Sequence, residues 1–457
     1  MNLFSTIAAI STPYGTGGIS IIRISGSKAL EIADKLFIAS SGKKLSAVST
    51  HTIHHGHIVS CDGIVLDEVL VSVMLSPRTY TGEDTVEINC HGGLFTTKKV
   101  LEEVLKSGAQ SAAPGEFTKR AFLNGKTDLC RAEAVIDLIN SKTYLEQSIS
   151  VNHLGGSLSK KINDLRQRLI TLLAHVQVLI DYPDEELEPL SDEEFLDELK
   201  NIRETAVKLL STSEAGAVLK SGIDTAIVGK PNVGKSSLLN LLSGEEKAIV
   251  TDIEGTTRDA IEQSVVIGPI TLNLADTAGI RETDDTIEAI GVMRSKEYIE
   301  KSNLIIFICD AVSGIDKNDL EIINSVSGKT AIALINKCDA SDFSGENILK
   351  KHFEHIIRFS VKTHEGLEEL EQTIKDMFDI GKIEQSSEII TNARHRDALF
   401  RAKTSLDAAI SAIRSGISVD TTFIDIEDAI SSLGEIVGLT VSEEIVDNIF
   451  HGFCVGK

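Results

Sequence analysis

The sequence predicts a mixed architecture: an N-terminal α/β domain, an all-α domain, and a doubly wound α/β domain inserted into the helical one. Three observations predict it. Gly229-Lys-Pro-Asn-Val-Gly-Lys-Ser-Ser237 is a glycine-rich loop between a strand-like run and a helix-like run. Three more short polar motifs follow it, each at the end of an apolar run. Helical periodicity fills the stretches before and after that region, so the α/β segment interrupts a helical one.

Residues 1–123 read as the first α/β domain, with strands at Ile19–Ile24 and Val65–Met74 and amphipathic helices at Ser27–Phe37 and Thr97–Lys106. Glycine- or turn-rich stretches break it at Tyr14–Gly18, Tyr80–Asp84 and His91–Gly93. They bring backbone close to a ligand or make tight turns, and their spacing favours turns. His51, His54, His55 and His57 raise a zinc reading, but no cysteine or carboxylate joins them at zinc spacing, which favours a surface hairpin.

Residues 124–221 read as the first half of the helical domain. Ile162, Leu165, Leu169, Leu172, Leu173, Val176 and Leu179 form one long apolar stripe, which Pro183 ends. Asp181–Leu199 holds ten acidic residues and no lysine or arginine, and reads as a solvated helix start with acids at its positive end. A second helix is expected over Asp192–Glu214. Residues 222–380 form the inserted domain, and residues 381–457 the second helical half, with helices at Thr391–Ser415, Ile424–Val437 and Ser442–Phe450. Insertion needs chain ends close together, which a doubly wound domain supplies.

The glycine loop matches G-x-x-x-x-G-K-[ST], in which backbone N–H groups and a helix N-terminus cradle phosphates. Asn232, Val233, Gly234, Lys235, Ser236 and Ser237 line it. Lys235 is expected to reach the β- and γ-phosphates, and the Ser236 hydroxyl to ligate Mg²⁺. Asp276-Thr277-Ala278-Gly279 follows the strand-like Ile270–Ala275, where an aspartate holds Mg²⁺ through water and a glycine N–H meets the γ-phosphate. Asn336-Lys337-Cys338-Asp339 follows Ala331–Ile335. The Asp339 carboxylate can accept both N–H donors of a guanine edge, which adenine lacks, while Asn336 holds the loop and the Lys337 stem covers the base. Ser360-Val-Lys362 follows Ile356–Phe359 and caps the base with a backbone N–H. Together these motifs specify GTP.

Thr251-Asp252-Ile253-Glu254-Gly255-Thr256-Thr257 reads as the switch segment, with Thr257 completing the Mg²⁺ shell. Ile280 stands where Ras-like enzymes orient the attacking water with glutamine, so that group must come from elsewhere. No arginine finger is evident. The Asn232 carbonyl can instead hold a monovalent cation beside the phosphates.

The whole chain sets further bounds. Its 457 residues suit two to four domains, with 42% hydrophobic and 25% charged residues as in soluble globular proteins. A formal charge of −23 excludes bulk non-specific nucleic-acid binding, so any RNA must meet local basic patches or a basic partner. The six scattered cysteines form no C-x-x-C pair and suit a reducing, cytoplasmic setting. Neither an 18-residue apolar run nor a basic leader is seen, so no membrane span or secretory signal is expected.

The insertion, the Gly255-Thr-Thr-Arg-Asp259 switch and the Cys454-Val-Gly-Lys457 end together resemble the MnmE (TrmE) family of tRNA modification GTPases. So do Pro13–Gly18, Arg23–Gly26, Thr81–Asp84, Pro114–Phe117 and Arg120–Asn124. The resemblance covers essentially the whole chain. It implies a Ras-like nucleotide domain and a folate-binding-like N-terminal domain that forms a homodimer. It also implies a heterotetramer with the FAD-dependent MnmG subunit, FAD entering only through that partner. Together these build a carboxymethylaminomethyl group on C5 of the wobble uridine of certain tRNAs. A tetrahydrofolate derivative, in its 5-formyl or 5,10-methylene form, supplies the one-carbon unit. Carried over by motif, folate contacts fall on Arg23, Glu87, Lys126 and Lys457; K⁺ contacts on Asn232, Thr251, Ile253 and Thr256; the water-positioning acid on Glu288; and a required cysteine on Cys454. The alternative is a ribosome-assembly GTPase that binds rRNA, which resembles the chain only within the nucleotide domain and would need a basic module that is not seen after residue 380.

Overall fold

The computed structural model describes residues 5–181, 191–244, 263–274, 299–383 and 388–457. The chain divides into two compact units: one built from the stretch up to Ile139, His153–Thr171 and the stretch from Ile430, the other from Asn140–Asn152 and Leu172–Ala429.

Alternating apolar residues build the sheet of the first unit. Its strands are β1 (Ile7–Ile10), β2 (Ile19–Ser25), β3 (Phe37–Ala39), β4 (Thr52–Val59), β5 (Val65–Met74), β6 (Thr85–His91) and β7 (Gln110–Ser111), in the order β3-β4-β5-β6-β2-β1-β7. All neighbours are antiparallel except β1 and β7. Helices α1 (Ala29–Leu36) and α2 (Leu94–Lys106) bury Ile32, Leu36, Val100 and Val104 against Ile22, Ile24, Val71, Val86 and Ile88. The period of two sends Arg23 and Glu87, which are register partners, to the other face.

Two of the glycine stretches, Tyr14–Gly18 and His91–Gly93, meet. The Gly17 N–H donates to the Gly92 carbonyl at 2.9 Å, and a Cβ at Gly92 would sit 2.5 Å from the Gly17 oxygen. The histidines lie on the β4–β5 hairpin, where His55 is engaged by Glu68 at 2.7 Å and Ser40 at 2.9 Å. Helix α3 (Glu116–Leu123) carries Arg120, 2% exposed, whose guanidinium reaches Glu83, Glu116 and the Ser5 carbonyl at 2.7–3.3 Å. Ser25 donates to Glu83, and the Asn124 amide donates to the Thr81 carbonyl. The Thr81–Asp84, Pro114–Phe117 and Arg120–Asn124 runs therefore meet in one buried ionic junction.

The helices that follow are α4 (Leu129–Asn140), α5 (Tyr144–Leu154), α6 (Ser157–Asp181), α7 (Asp192–Leu210) and α8 (Ser213–Ser221). Ser191 caps α7 in a capping box with Glu194, and three acids fill its first turn. The helix expected over Asp192–Glu214 is two helices. Thr212 breaks it: its hydroxyl donates to the Leu209 carbonyl and accepts from the Ile390 N–H, and α8 sets off with Gly216 close against the Ile390 carbonyl.

The second sheet contains β8 (Ile223–Val228), β9 (Gln263–Ile267), β10 (Ile270–Leu274), β11 (Leu304–Asp310), β12 (Ala331–Asn336) and β13 (His355–Arg358), in the order β13-β12-β11-β8-β10-β9. Only β9 runs antiparallel to its neighbour. All seven residues of β11 are buried, as in the middle of a two-sided α/β sheet. Helices α9 (Lys235–Gly244), α10 (Lys317–Ser325), α11 (Glu346–Leu349) and α12 (Leu367–Met377) belong to this domain. The chain leaves β8 toward β10 on one side and β11 on the other, so the end of β8 is the switch point where such sheets bind ligands. Helices α13 (Ala393–Arg414), α14 (Phe423–Val437) and α15 (Glu443–His451) follow. Arg203 on α7 pairs with Asp407 on α13 at 2.8 Å, so helices from either side of the nucleotide domain pack together. No helix among the described residues is long and apolar enough to cross a membrane.

Glu103 on α2 accepts from the Cys61 N–H and pairs with Lys106. Lys106 and the Cys61 N–H hold its carboxyl at about 2, below the ordinary 4.5. A depressed folded-state value stabilises the fold fully above the ordinary value and loses that contribution as pH falls through the folded one. Glu103→Gln is therefore expected to lower the melting temperature at pH 7, with the gap to the parent closing between pH 4.5 and about 2. Thermal scans across that range check it.

Candidate nucleotide site

The phosphate loop starts where β8 ends. Gly229, at φ +156°, lies so close to β11 that a Cβ would stand 2.3 Å from the Ile308 carbonyl oxygen. Asn232 takes φ +64° and Gly234 φ +107°, a curl that turns the backbone inward before α9 begins at Lys235. Val233 is buried and anchors the loop's middle, while Asn232, Ser236 and Ser237 face solvent. The Lys235 ammonium donates to the carbonyls of Gly229 and Lys230 at 2.6 Å each, and burial holds it below the ordinary lysine range. A lysine held by neutral carbonyls at a helix N-terminus is free to trade them for phosphate oxygens.

The loop after β12 packs against the phosphate loop. The Asn336 amide donates to the Val233 carbonyl at 2.8 Å, and its oxygen accepts from the Val361 N–H at 3.4 Å. Lys337, at φ +61°, pairs with Asp310 at 2.6 Å and reaches the Asn232 carbonyl at 3.3 Å. The Asp339 carboxylate accepts from the Ser360 hydroxyl at 2.7 Å, and that hydroxyl accepts from the Thr363 N–H. Cys338 ties its N–H to the Phe359 carbonyl beside β13. Asn232–Ser237, Asn336, Lys337, Asp339 and Ser360 thus share one crevice at the strand ends. Thr251, Asp252, Ile253, Glu254, Gly255, Thr256, Thr257, Asp276, Thr277, Ala278, Gly279 and Glu288 lie outside the described residues.

Sequence reasoning missed Asp310. Burial works against its charge, but Lys337 and the N–H groups of Val312 and Ser313 outweigh it and hold the carboxyl below its usual range. The available signal was an acid closing a wholly apolar strand. Burial first, and then the Asp319 and Asp310 carboxylates, push the neighbouring Cys309 thiol up to about 12, which keeps it inert.

The first unit gathers a second cluster. Arg23 pairs with Glu87 at 2.8 Å, donates to the Gly456 carbonyl at 3.3 Å, and lies over the Tyr80 and Phe117 rings at 5.8 and 5.5 Å. The backbone carbonyls of Cys454 and Lys457 accept from the N–H groups of Gly115 and Phe117, and the Cys454 side chain is exposed. Lys126 donates to the Pro77 carbonyl at 2.9 Å, and its stem packs beside Gly82. Arg23 and Glu87 are in direct contact, whereas Lys126 borders the turn that carries Tyr80.

A phosphate loop at the switch strand, latched by an N-K-x-D loop, defines a nucleotide domain of the P-loop GTPase class. Family models match both parts of the chain: the GTP-binding protein TrmE N-terminus over residues 6–126 and the MnmE helical domain over residues 129–454. Relatives named tRNA modification GTPase MnmE are similar end to end. The protein of Thermoanaerobacter pseudethanolicus is 48% identical over 100% of both chains, that of Acetivibrio thermocellus 48% over 99% of both, and that of Clostridioides difficile 46% over 100% of both. The chain belongs to the MnmE family of tRNA modification GTPases.

Gly234 has no Cβ where the two loops meet; one added there would stand 2.2 Å from the Asn336 amide nitrogen, at a φ that L-residues avoid. Gly234→Ala is expected to displace that amide and weaken guanine-nucleotide affinity by about tenfold or more, the equivalent of roughly 1–3 kcal/mol of backbone strain. Titration with a fluorescent GDP analogue measures it.

Proposed function

We propose that the chain hydrolyses GTP and, with a FAD-dependent partner, adds a carboxymethylaminomethyl group at C5 of the wobble uridine of certain tRNAs. The observation that carries this reading is the end-to-end likeness to relatives named tRNA modification GTPase, combined with a phosphate loop and an N-K-x-D loop held in contact. A ribosome-assembly role would leave the N-terminal and helical matches without a purpose.

In this reading Lys235 leaves the loop carbonyls to neutralise the β- and γ-phosphates, and the Asn232–Ser237 backbone surrounds them. Asp339 reads guanine while Ser360 orients its carboxylate, and Asn336 keeps the base loop on the phosphate loop. Ser236 and Thr257 would hold Mg²⁺, which screens phosphate charge; the hydroxyl of Ser236 stands at an exposed helix N-terminus, as that task needs. Asn232, together with Thr251, Ile253 and Thr256, would hold K⁺. The neutral oxygen donors and the exposed, inward-curled Asn232 suit a weakly bound monovalent ion. Glu288, where the family's water-positioning acid falls by resemblance, would orient the attacking water, a task Ile280 cannot perform by hydrogen bonding.

The Arg23–Glu87 pair with its two aromatic neighbours suits a folate, whose pterin is flat and polar and whose glutamate tail is anionic. Arg23, Glu87, Lys126 and Lys457 would hold that tetrahydrofolate derivative, the source of the one-carbon unit, and Cys454 is assigned to the modification beside it. A homodimer, the MnmG subunit in a heterotetramer, tRNA and a cytoplasmic setting complete the proposal.

Reconstitution with a flavoprotein partner, GTP and methylene-tetrahydrofolate is expected to yield modified wobble uridine, and tRNA from cells lacking the chain is expected to lose it. Unchanged nucleosides in that tRNA would defeat the proposal. Replacing K⁺ with Na⁺ is expected to slow hydrolysis by about a hundredfold, the scale of losing one charge-stabilising group, while GTP binding stays nearly constant. Equal turnover in both salts would remove the cation from the mechanism.

A further inference from the structure

The second residue of the glycine loop is a lysine whose charge does not face the phosphate crevice. The Lys230 ammonium is held between Asp316 at 2.8 Å and Asp319 at 2.7 Å, with 14% of its side chain exposed. Asp319 is wholly buried, and one of its carboxylate oxygens, Oδ1, has no hydrogen-bond partner. The other, Oδ2, accepts from the Asp316 N–H at 3.0 Å, while Asp316 Oδ1 accepts from the N–H groups of Asn318 and Asp319. The capping box that starts α10 therefore doubles as a receptor for Lys230.

Glycines at φ +156° and +107° bracket the loop, so its local sequence leaves it loose and its stiffness must come from outside. The Lys230 carbonyl is also one of the two that hold Lys235 at 2.6 Å. Asn336 and Lys337 fasten the loop on the base side, at Val233 and Asn232. Lys230 fastens the start of the loop to α10.

We propose that Lys230 is a positioning residue: its ion pairs with Asp316 and Asp319 pin the phosphate loop to α10 and hold the Lys230 carbonyl where it parks the Lys235 ammonium. The clamp preorganises the loop for phosphates and does not touch the reacting atoms. It rests on the GTP-binding reading of the loop given above. The buried Asp319 makes the contact costly to break, because loss of the lysine leaves an uncompensated carboxylate.

The test uses the full chain with Lys230→Met, Lys230→Arg and the double variant Lys230→Met/Asp319→Asn. The double variant removes the buried charge should the single one fail to fold. Affinity is read with a fluorescent GTP analogue, turnover at saturating GTP, and loop mobility by amide hydrogen exchange over residues 229–235 without nucleotide. Both methionine variants are expected to bind about tenfold more weakly with a far smaller fall in kcat, and to exchange several-fold faster in the loop, as loss of preorganisation requires. Lys230→Arg is expected to recover most of the affinity. Unchanged exchange in the methionine variants overturns the clamp, as does a fall in kcat at constant affinity. A parent chain that binds no guanine nucleotide would defeat the GTP reading, while the exchange comparison still decides whether Lys230 pins the loop.

Discussion

The amide of Asn336 on the carbonyl of Val233 is the contact on which the nucleotide site depends. It joins a loop from the end of β12 to one from the end of β8, two strands that are not neighbours, with β11 between them. The bond is fully buried, so its donor and acceptor have no water to turn to if it breaks. Its geometry requires glycine at 234 and tolerates no side chain there. The base loop and the phosphate loop are therefore one structure, and ligand contacts at either end share a common frame.

Charge is used in two ways within the first unit. Arg120 is a buried hub whose carboxylate partners are also tied to backbone or hydroxyl groups, so it welds three sequence runs and is closed to ligands. Arg23 has one carboxylate partner, aromatic neighbours and a side chain 17% exposed, so it keeps capacity for another anion. Arg23 opens Arg23-Ile-Ser-Gly26 and Arg120 opens Arg120-Ala-Phe-Leu-Asn124, and residue type alone does not say which is structural. Burial separates the structural arginine from the one open to solvent.

Much of the nucleotide domain was legible because its signals are local. The strand before Gly229 and the N-K-x-D loop after β12 are each set by a few adjacent residues whose backbone conformations are forced. What escaped the sequence depends on distant partners. Asp310 gains meaning only beside Lys337, and Lys230 only beside Asp319. The break between α7 and α8 escaped for the same reason: Thr212 is an acceptable helix residue until Ile390 claims its hydroxyl. In the first unit the strand periodicity was readable, but the meeting of Glu83, Glu116 and Arg120 was not, since nothing in their spacing announces a shared partner.

Gly456 lies against Ile10, where a Cβ would stand 2.2 Å from that carbonyl oxygen, and its own carbonyl accepts from Ser11 and Arg23. The Ser11 contact spans 445 residues of sequence. On the ribosome, strands β1 and β2 emerge long before their last neighbour is made. At synthesis rates of about 5–20 residues per second they wait on the order of half a minute or more with that edge uncovered. Closure of this unit thus comes after synthesis of the nucleotide domain, and a nascent chain can hold the strands of that domain while its first domain still lacks a wall.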